Sequence, residues 1–379
     1  MKDRLDVEQN PTITVKRAHE LSETDRTAWA ALRKSNGATY SPYFHLDYTL
    51  LLSELREDVF IACVYEKDLP IAFLPYQGPR FARPVGAPMT DYHGFICRED
   101  ADFDTVEILK TAGIGALHFS ASINSQMSPH FQSEDDGVLM DLGSGAENWR
   151  SERDSSYRRH LKSNRRRTRK ATEDIGEPRF VWQSKDQSIF DQLIDWKKGK
   201  FAETGKYDVL SADWTMALLE RLWQRNNGGL KCDMQALYFG DRLAAVDLGL
   251  SDGQTFHSWI VAYDGELQSY GPGIQLLEGL IDASKELGYR YIDLGVGTDG
   301  YKRHYATTPI SAGAGFIAAQ GSAAALSNLY SKAEIFGQKA LKDAPGKLRR
   351  RYTQIAACED SVSGRAKAMF DAVKSSGRR

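Results

Sequence analysis

The side chains best suited to chemistry cluster between residues 247 and 302 of a chain of 379. Gln268, Gly271 and Gly273 stand in the spacing Q-x-x-G-x-G ahead of an apolar-striped segment, "IQLLEGLIDASKELG". Glycines let successive backbone N–H groups turn toward one point, and a helix starting at the second glycine adds its positive end. Gln268, Tyr270, Gly271, Gly273 and Ile274 are therefore expected to cradle a pyrophosphate. The same glycines also suit a plain strand-to-helix turn. Asp247 in "LAAVDLGL" is a carboxylate inside an apolar run. Burial would raise its pKa toward that of a general base, and a hydrogen-bonded structural aspartate fits equally. Asp293 ends the strand after the helix, where it can act as a base, accept a substrate hydrogen bond or cap the following glycine-rich loop. His257 opens the strand before the loop, and a lone histidine there also serves structure.

The elements that must position these residues follow from periodicity. "QALYFGDRLAAVDLGLSDGQTFHSWIVAYD" gives three antiparallel strands with turns at Gly240-Asp241 and Asp252-Gly253. Residues 274–288 form an apolar-faced helix and "YRYIDLGVG" the next strand. Upstream, Ser22 followed by Asp25 caps a helix to Asn36, "HLDYTLLLSELR" is a second helix, and "VFIACVYEKDLPIAFLPYQ" is two strands joined at Lys67-Asp68. An exposed polar loop is expected at Asp91, Tyr92 and His93. "IACVYEKDLPIAFLPY" and "QALYFGDRLAAVDLGL" echo one another as strand, turn, strand, which leaves duplication of the two halves open. Residues 157–170 carry eight Lys or Arg without proline, and Arg158, Lys162, Arg165 or Arg166, and Arg169 share one helical face. This basic helix either binds phosphates or is a solvated linker. The tail from Gly321 reads as a long helix interrupted near Pro345, with a frayed end over 360–379.

Composition narrows the classes. Lys plus Arg number 49 against 51 Asp plus Glu, a net charge of −2, so stable nucleic-acid binding is not expected. No run of about 18 apolar residues exists to span a membrane. The charged N-terminus lacks the apolar core of a secretory signal. The four cysteines, Cys63, Cys97, Cys232 and Cys358, form no C-x-x-C pair, and the eight histidines include no H-E-x-x-H. Neither a disulfide framework nor a metal is expected.

The strand–loop–helix–strand stretch resembles the GNAT acyltransferase fold. Its detail resembles the CelD/BcsL branch, also described as FemAB-related or BioF2-like. The residues carrying this are Tyr263-Asp264, Gly271-Pro272-Gly273, Asp293-Leu294, Gly297 and Tyr301-Lys302. The chain departs from that branch at Tyr270-Gly271, where Tyr-Ser is common. Looser matches lie in "SPYFHLDYTLLL", without the branch's tryptophan, in "DYHG" and in the arginine-rich helix.

The resemblance implies an α/β (α+β) fold of two tandem GNAT-like domains, each a mixed, mostly antiparallel sheet flanked by helices, with a helical tail. The expected boundaries are 1–150, a linker helix 151–172, 173–320 and a basic tail 321–379. It implies acetyl-CoA or another acyl-CoA as co-substrate, bound in the second half between splayed strands, with the first half shaping the acceptor pocket. The expected activity is direct N-acyl transfer to an amino sugar or another precursor of a cell-surface polysaccharide. In that chemistry Tyr301 would protonate the leaving thiolate, and Lys302 would hold a phosphate or the oxyanion unless it is a solvated surface lysine. Asp91, Tyr92 and His93 would touch the acceptor, or form an ordinary turn. Arg158, Arg165 and Arg169 would meet phosphates of a nucleotide-linked or lipid-linked sugar. Two other readings stay open: an aminoacyl-tRNA-dependent transferase of FemX type, and a non-catalytic ligand sensor of a polysaccharide machine. The expected location is the cytoplasm, with Lys347, Arg349, Arg350 and Arg351 able to meet an anionic membrane surface or a cyclic dinucleotide.

Overall fold

The structure, a computed structural model, describes residues 11–226, 228–298, 300–341, 344–359 and 362–376. The expectation about an N-terminal signal falls chiefly on residues outside that range. In chain order the elements are β1 (Thr12–Lys16), α1 (Glu23–Ser35), α2 (Leu46–Leu55), β2 (Val59–Glu66), β3 (Leu69–Gln77), β4 (Phe81–Pro84), β5 (Ile96–Cys97), α3 (Thr105–Thr111) and β6 (Ala116–Ser122). There follow β7 (Phe131–Asp141), α4 (Ala146–Ser151), α5 (Ser155–Asp174), β8 (Pro178–Val181), α6 (Gln187–Thr204), α7 (Asp213–Gln224), β9 (Lys231–Phe239), β10 (Arg242–Ser251) and β11 (Thr255–Tyr263). The last are α8 (Pro272–Leu287), β12 (Tyr291–Val296), β13 (Thr308–Ala318), α9 (Gly321–Leu341), α10 (Ala344–Cys358) and α11 (Val362–Ser376).

The chain divides into two compact units. One holds the chain up to Glu134 with Gly313–Pro345; the other holds Asp135–Ala312 with the chain from Gly346. Apart from the two-residue β5 that follows β4 in the first, both repeat one order: strand, two helices, three strands, a helix, and a strand parallel to the last of the three. In the first unit this is β1, α1, α2, β2, β3, β4, α3, β6; in the second it is β8, α6, α7, β9, β10, β11, α8, β12. The echoing segments fall on β2–β3 and β9–β10, the equivalent hairpins of the two units.

Local chemistry explains the elements. Ser22 caps α1 by accepting from the Asp25 N–H at 3.2 Å while Asp25 accepts from the Ser22 N–H at 2.9 Å. The β2–β3 turn places Lys67 and Asp68 at φ 50° and 65°, the geometry that matches strand twist. On α8, Leu276, Leu277, Leu280 and Ile281 are buried, each contributing about 1.5–3 kcal/mol.

Two expectations need correction. Val362–Ser376 is helix α11, not a frayed end, because its alanines and lysines favour helix. The segment at Asp91–His93 is not an exposed loop: Tyr92 and His93 are buried. β4 and β6 pair only at Phe81↔Ala116 and Ala82↔Leu117. Beyond that point, the chain returns to β6 through a parallel bridge at His93↔Ser122. The His93 Nε2 accepts from the N–H groups of Ser120 and Ala121, both at 3.0 Å. An imidazole thus satisfies backbone donors that the departing strand leaves open.

Candidate functional site

In the second unit β11 and β12 begin side by side and then separate. They pair in parallel at Thr255↔Tyr291, Phe256↔Ile292 and His257↔Asp293. β11 then stays with β10 as far as Ala245↔Tyr263, while β12 stays with β7 as far as Val296↔Gly137. The turning point is written in Asp293-Leu294-Gly295. The Asp293 Oδ1 accepts from the Gly295 N–H at 2.7 Å, and Gly295 takes φ 77°, a conformation that favours glycine. The register of β12 against β7 shifts over this stretch. At the last pair, His257 Nδ1 and Asp293 Oδ2 lie 3.1 Å apart with both side chains fully buried.

Separation leaves backbone carbonyls without a strand partner, and two lysines reach them. Lys302 donates to the Leu294 carbonyl at 2.6 Å, and Lys197 on α6 donates to the Val261 carbonyl at 3.3 Å. Lys302 thus rests on β12 at the point where the strands part. Asp293 has its Oδ1 on the Gly295 N–H and its Oδ2 3.1 Å from His257 Nδ1.

Asp247 differs. It is 5% exposed on β10, and its Oδ2 accepts from the Ser258 hydroxyl at 2.7 Å. Its Oδ1 has no partner among the described residues. Burial pushes its carboxyl up to about 7, against the pull of the Ser258 hydrogen bond and the nearby His257 and Lys197. Tyr301 lies within the field of this group. Tyr301 is 37% exposed, and desolvation of its phenol by the surrounding protein, then the Asp247 charge, push it up to about 12. A carboxyl titrating near neutrality can take a proton from one substrate, and a phenol within its field that stays protonated can give one to another.

Gly265–Tyr270 is a 3-10 turn, and the Gly271 N–H donates to the Gln268 carbonyl at 3.0 Å. The Ile274 and Gln275 N–H groups both donate to the Gly271 carbonyl at 3.2 Å. The Gly271, Ile274 and Gln275 amides thus each have a carbonyl partner within the loop. Of the first turn of α8, Pro272 has no N–H, which leaves Gly273 as the open position. A Cβ at Gly273 would approach only Tyr263, at 3.8 Å. Gln268 is exposed, Ile274 is half-buried, and Tyr270 donates to Asp174 at 2.8 Å, fixing α5 against the loop.

That contact also decides which face of α5 turns inward. Tyr157, Asn164 and Ala171 are buried, whereas Arg158, Arg165 and Arg169 are exposed. The cationic face picked from spacing is the solvent face. Arg167 is exposed as well, with its Nη1 3.2 Å from the position of a Cβ on Gly271. Sequence reasoning missed Arg167, Ser258 and Lys197. In the tail, Arg351 donates to the Gly205 carbonyl at 2.9 Å. The side chains of Lys347, Arg349 and Arg350 lie outside the described residues. No group of three or more His, Cys, Asp or Glu that could hold a metal occurs among the described residues. No described helix is long and apolar enough to cross a membrane.

A mixed α/β unit with splayed parallel strands and a loop-to-helix turn at their open end defines a GNAT-type fold. Residues 155–303 match the family model described as Acetyltransferase (GNAT) domain. The solved structure of FemX is similar at a TM-score of 0.50 and 8% identity, covering 78% of this chain and 96% of that one. A tandem GNAT protein from the clavulanic acid biosynthesis pathway is similar at a TM-score of 0.46 and 10% identity, covering 83% of this chain and 100% of that one. No curated protein matches the chain.

Proposed function

We propose that the protein is an acyl-CoA-dependent N-acyltransferase, with the thioester arm of the donor lying between β11 and β12. The observation that carries this reading is the parting of those strands after His257 and Asp293, next to a carboxyl with one oxygen unpaired. The acceptor amine gives its proton to Asp247 as its nitrogen adds to the thioester carbonyl. The tetrahedral adduct then collapses, the carbon–sulfur bond breaks, and the thiolate takes the Tyr301 proton. Proton return from Asp247 to the phenolate through solvent resets both groups. No covalent enzyme intermediate is needed, because holding both substrates together supplies much of the rate. The acceptor is an amino sugar or another precursor of a cell-surface polysaccharide. Its support is the resemblance of residues 263–302 to the CelD/BcsL branch.

A second reading takes aminoacyl-tRNA as donor. The exposed row Arg158, Lys162, Arg165 and Arg169 on α5 favours a polyanion there. Calorimetry with acetyl-CoA and with charged tRNA, together with a free-thiol assay on amino-sugar nucleotides, separates the two. Under the first reading acetyl-CoA binds, thiol is released, and Gly273→Trp abolishes both by filling the open turn. Binding of tRNA without binding of acetyl-CoA reverses the choice.

A further inference from the structure

Helix α9 meets its sheet through small and polar side chains and turns its large apolar ones away. Ala323 and Ser327 are buried. Gly115 lies so close that a Cβ there would stand 2.7 Å from the Cβ of Ala323. The Ser327 hydroxyl is 2.8 Å from His118 Nε2 on β6, and Gln132 on β7 donates to the Ser331 hydroxyl at 2.7 Å. Residues 323, 327 and 331 follow one another by about a turn and so share the inward face.

The opposite face is apolar. Leu326, Leu329, Tyr330 and Phe336 are exposed, Leu329 at 64% and Phe336 at 80%. With the exposed Ala325 and Ala333 they fill one continuous arc of about 140° around the helix. A helix that only covers a sheet has the reverse pattern, as α8 does with Leu276, Leu277, Leu280 and Ile281 buried. An arc of this size on the outside marks a surface that meets something else.

Charge tells what that is. Residues 321–379 hold 12 Lys or Arg against 5 Asp or Glu, a net of +7 in a chain of net −2, so the first 320 residues carry −9. Lys332 is exposed on α9 beside the apolar arc, and five more cations follow in the sequence by residue 350. An apolar helix face within a cationic segment matches an anionic lipid surface, where apolar side chains enter the acyl boundary and positive charge is drawn to the headgroups. A second copy fits less well, because pairing α9 with itself would bring two such positive segments together. No described helix is long and apolar enough to cross a membrane, so α9 would lie in the interface plane.

We propose that α9 is a membrane-docking helix, seating Leu326, Leu329, Tyr330 and Phe336 in the surface of an anionic bilayer. Nothing in this docking depends on the identity of the acyl donor.

Flotation of the full chain with lipid vesicles tests it, using phosphatidylcholine alone and an equal mixture of phosphatidylcholine and phosphatidylglycerol. Wild type floats with the mixed vesicles, stays behind with phosphatidylcholine, and is released as salt is raised, because screening removes the attraction. Leu329→Ser with Phe336→Ser lowers the bound-to-free ratio by about tenfold or more, at an unchanged melting temperature because both side chains are exposed. Phe336→Trp keeps the face apolar and reports on it: its emission, taken against wild type, moves to the blue on adding mixed vesicles. Failure of wild type to float with the mixed vesicles overturns the inference, as does equal binding by the double serine variant or an unmoved emission. Equal flotation with both kinds of vesicle overturns the anionic lipid as occupant. A wild type that is dimeric in light scattering, turns monomeric in the double variant and does not float overturns it too, and gives the face to a second copy.

Discussion

His257 and Asp293 form the last rung of the β11–β12 ladder, 3.1 Å apart and sealed from solvent, and beyond them the two strands part. The pair holds the base of the gap, and the second Asp293 oxygen bends β12 away through Gly295. Asp293→Ala leaves a buried imidazole and a backbone donor uncompensated, so we expect a loss of about 3–5 kcal/mol in urea unfolding. Asp293→Asn keeps an acceptor for Gly295 and should cost less. Equal stability of the alanine variant and wild type would remove the pair from this role.

Asp247 makes opposite demands on activity and stability. Its carboxyl titrates near 3.8 when exposed and near 7 when folded, because burial disfavours the charge. The folded state therefore holds the proton more tightly. That contribution is complete below the exposed value and is lost as pH rises through the folded one. Asp247→Asn should raise stability at about pH 8 by on the order of 3 kcal/mol and change little at acid pH. In the same variant kcat/KM should fall by about 10²-fold or more. In wild type, kcat/KM should climb through pH about 7 and then level off, and an unchanged profile in the asparagine variant would exclude Asp247 as the base.

Tyr301 keeps its proton well above neutrality, which suits a donor to a departing thiolate. Tyr301→Phe should lower kcat by about 10²-fold with little change in the KM for acyl-CoA. A rise in KM with kcat intact would make it a binding residue instead.

In the first unit, His93 stands where the partner of β6 is missing. Burial holds its imidazole down at about 3, so it stays neutral while accepting from two backbone donors. A depressed imidazole lends stability above its ordinary value of 6.5 and loses it as pH falls toward 3. Acid unfolding monitored between about pH 6.5 and 4 should flatten in His93→Leu. That variant should also lose about 2–5 kcal/mol at neutral pH, since two N–H groups lose their acceptor. Donor affinity should stay as in wild type wherever the variant is folded.

Much of this was legible in residue order, for reasons that differ by element. α8 and the β9–β11 strands announce themselves because apolar periodicity and Asp-Gly turns are local signals. Asp247 stood out because a charge in an apolar run requires explanation. The parting of β11 from β12 was legible only through family resemblance, since Asp293 and Gly295 reveal a bend but not its partner. The partners of the loop amides were not legible, because glycine spacing does not say which way each N–H points. On α5, eight cations in fourteen residues populate every side of a helix, so its packed face shows only through the burial of Tyr157, Asn164 and Ala171. Tyr92 and His93 looked solvent-facing because their burial depends on β6, some thirty residues away.

The most direct test of the parted strands is a crystal structure of the protein soaked with CoA. We expect the pantetheine arm between β11 and β12, bonded to the backbone of β11 beyond His257, with the diphosphate at the Gly271–Gly273 turn. Closed, continuously paired β11 and β12, or CoA bound elsewhere on the chain, would contradict it.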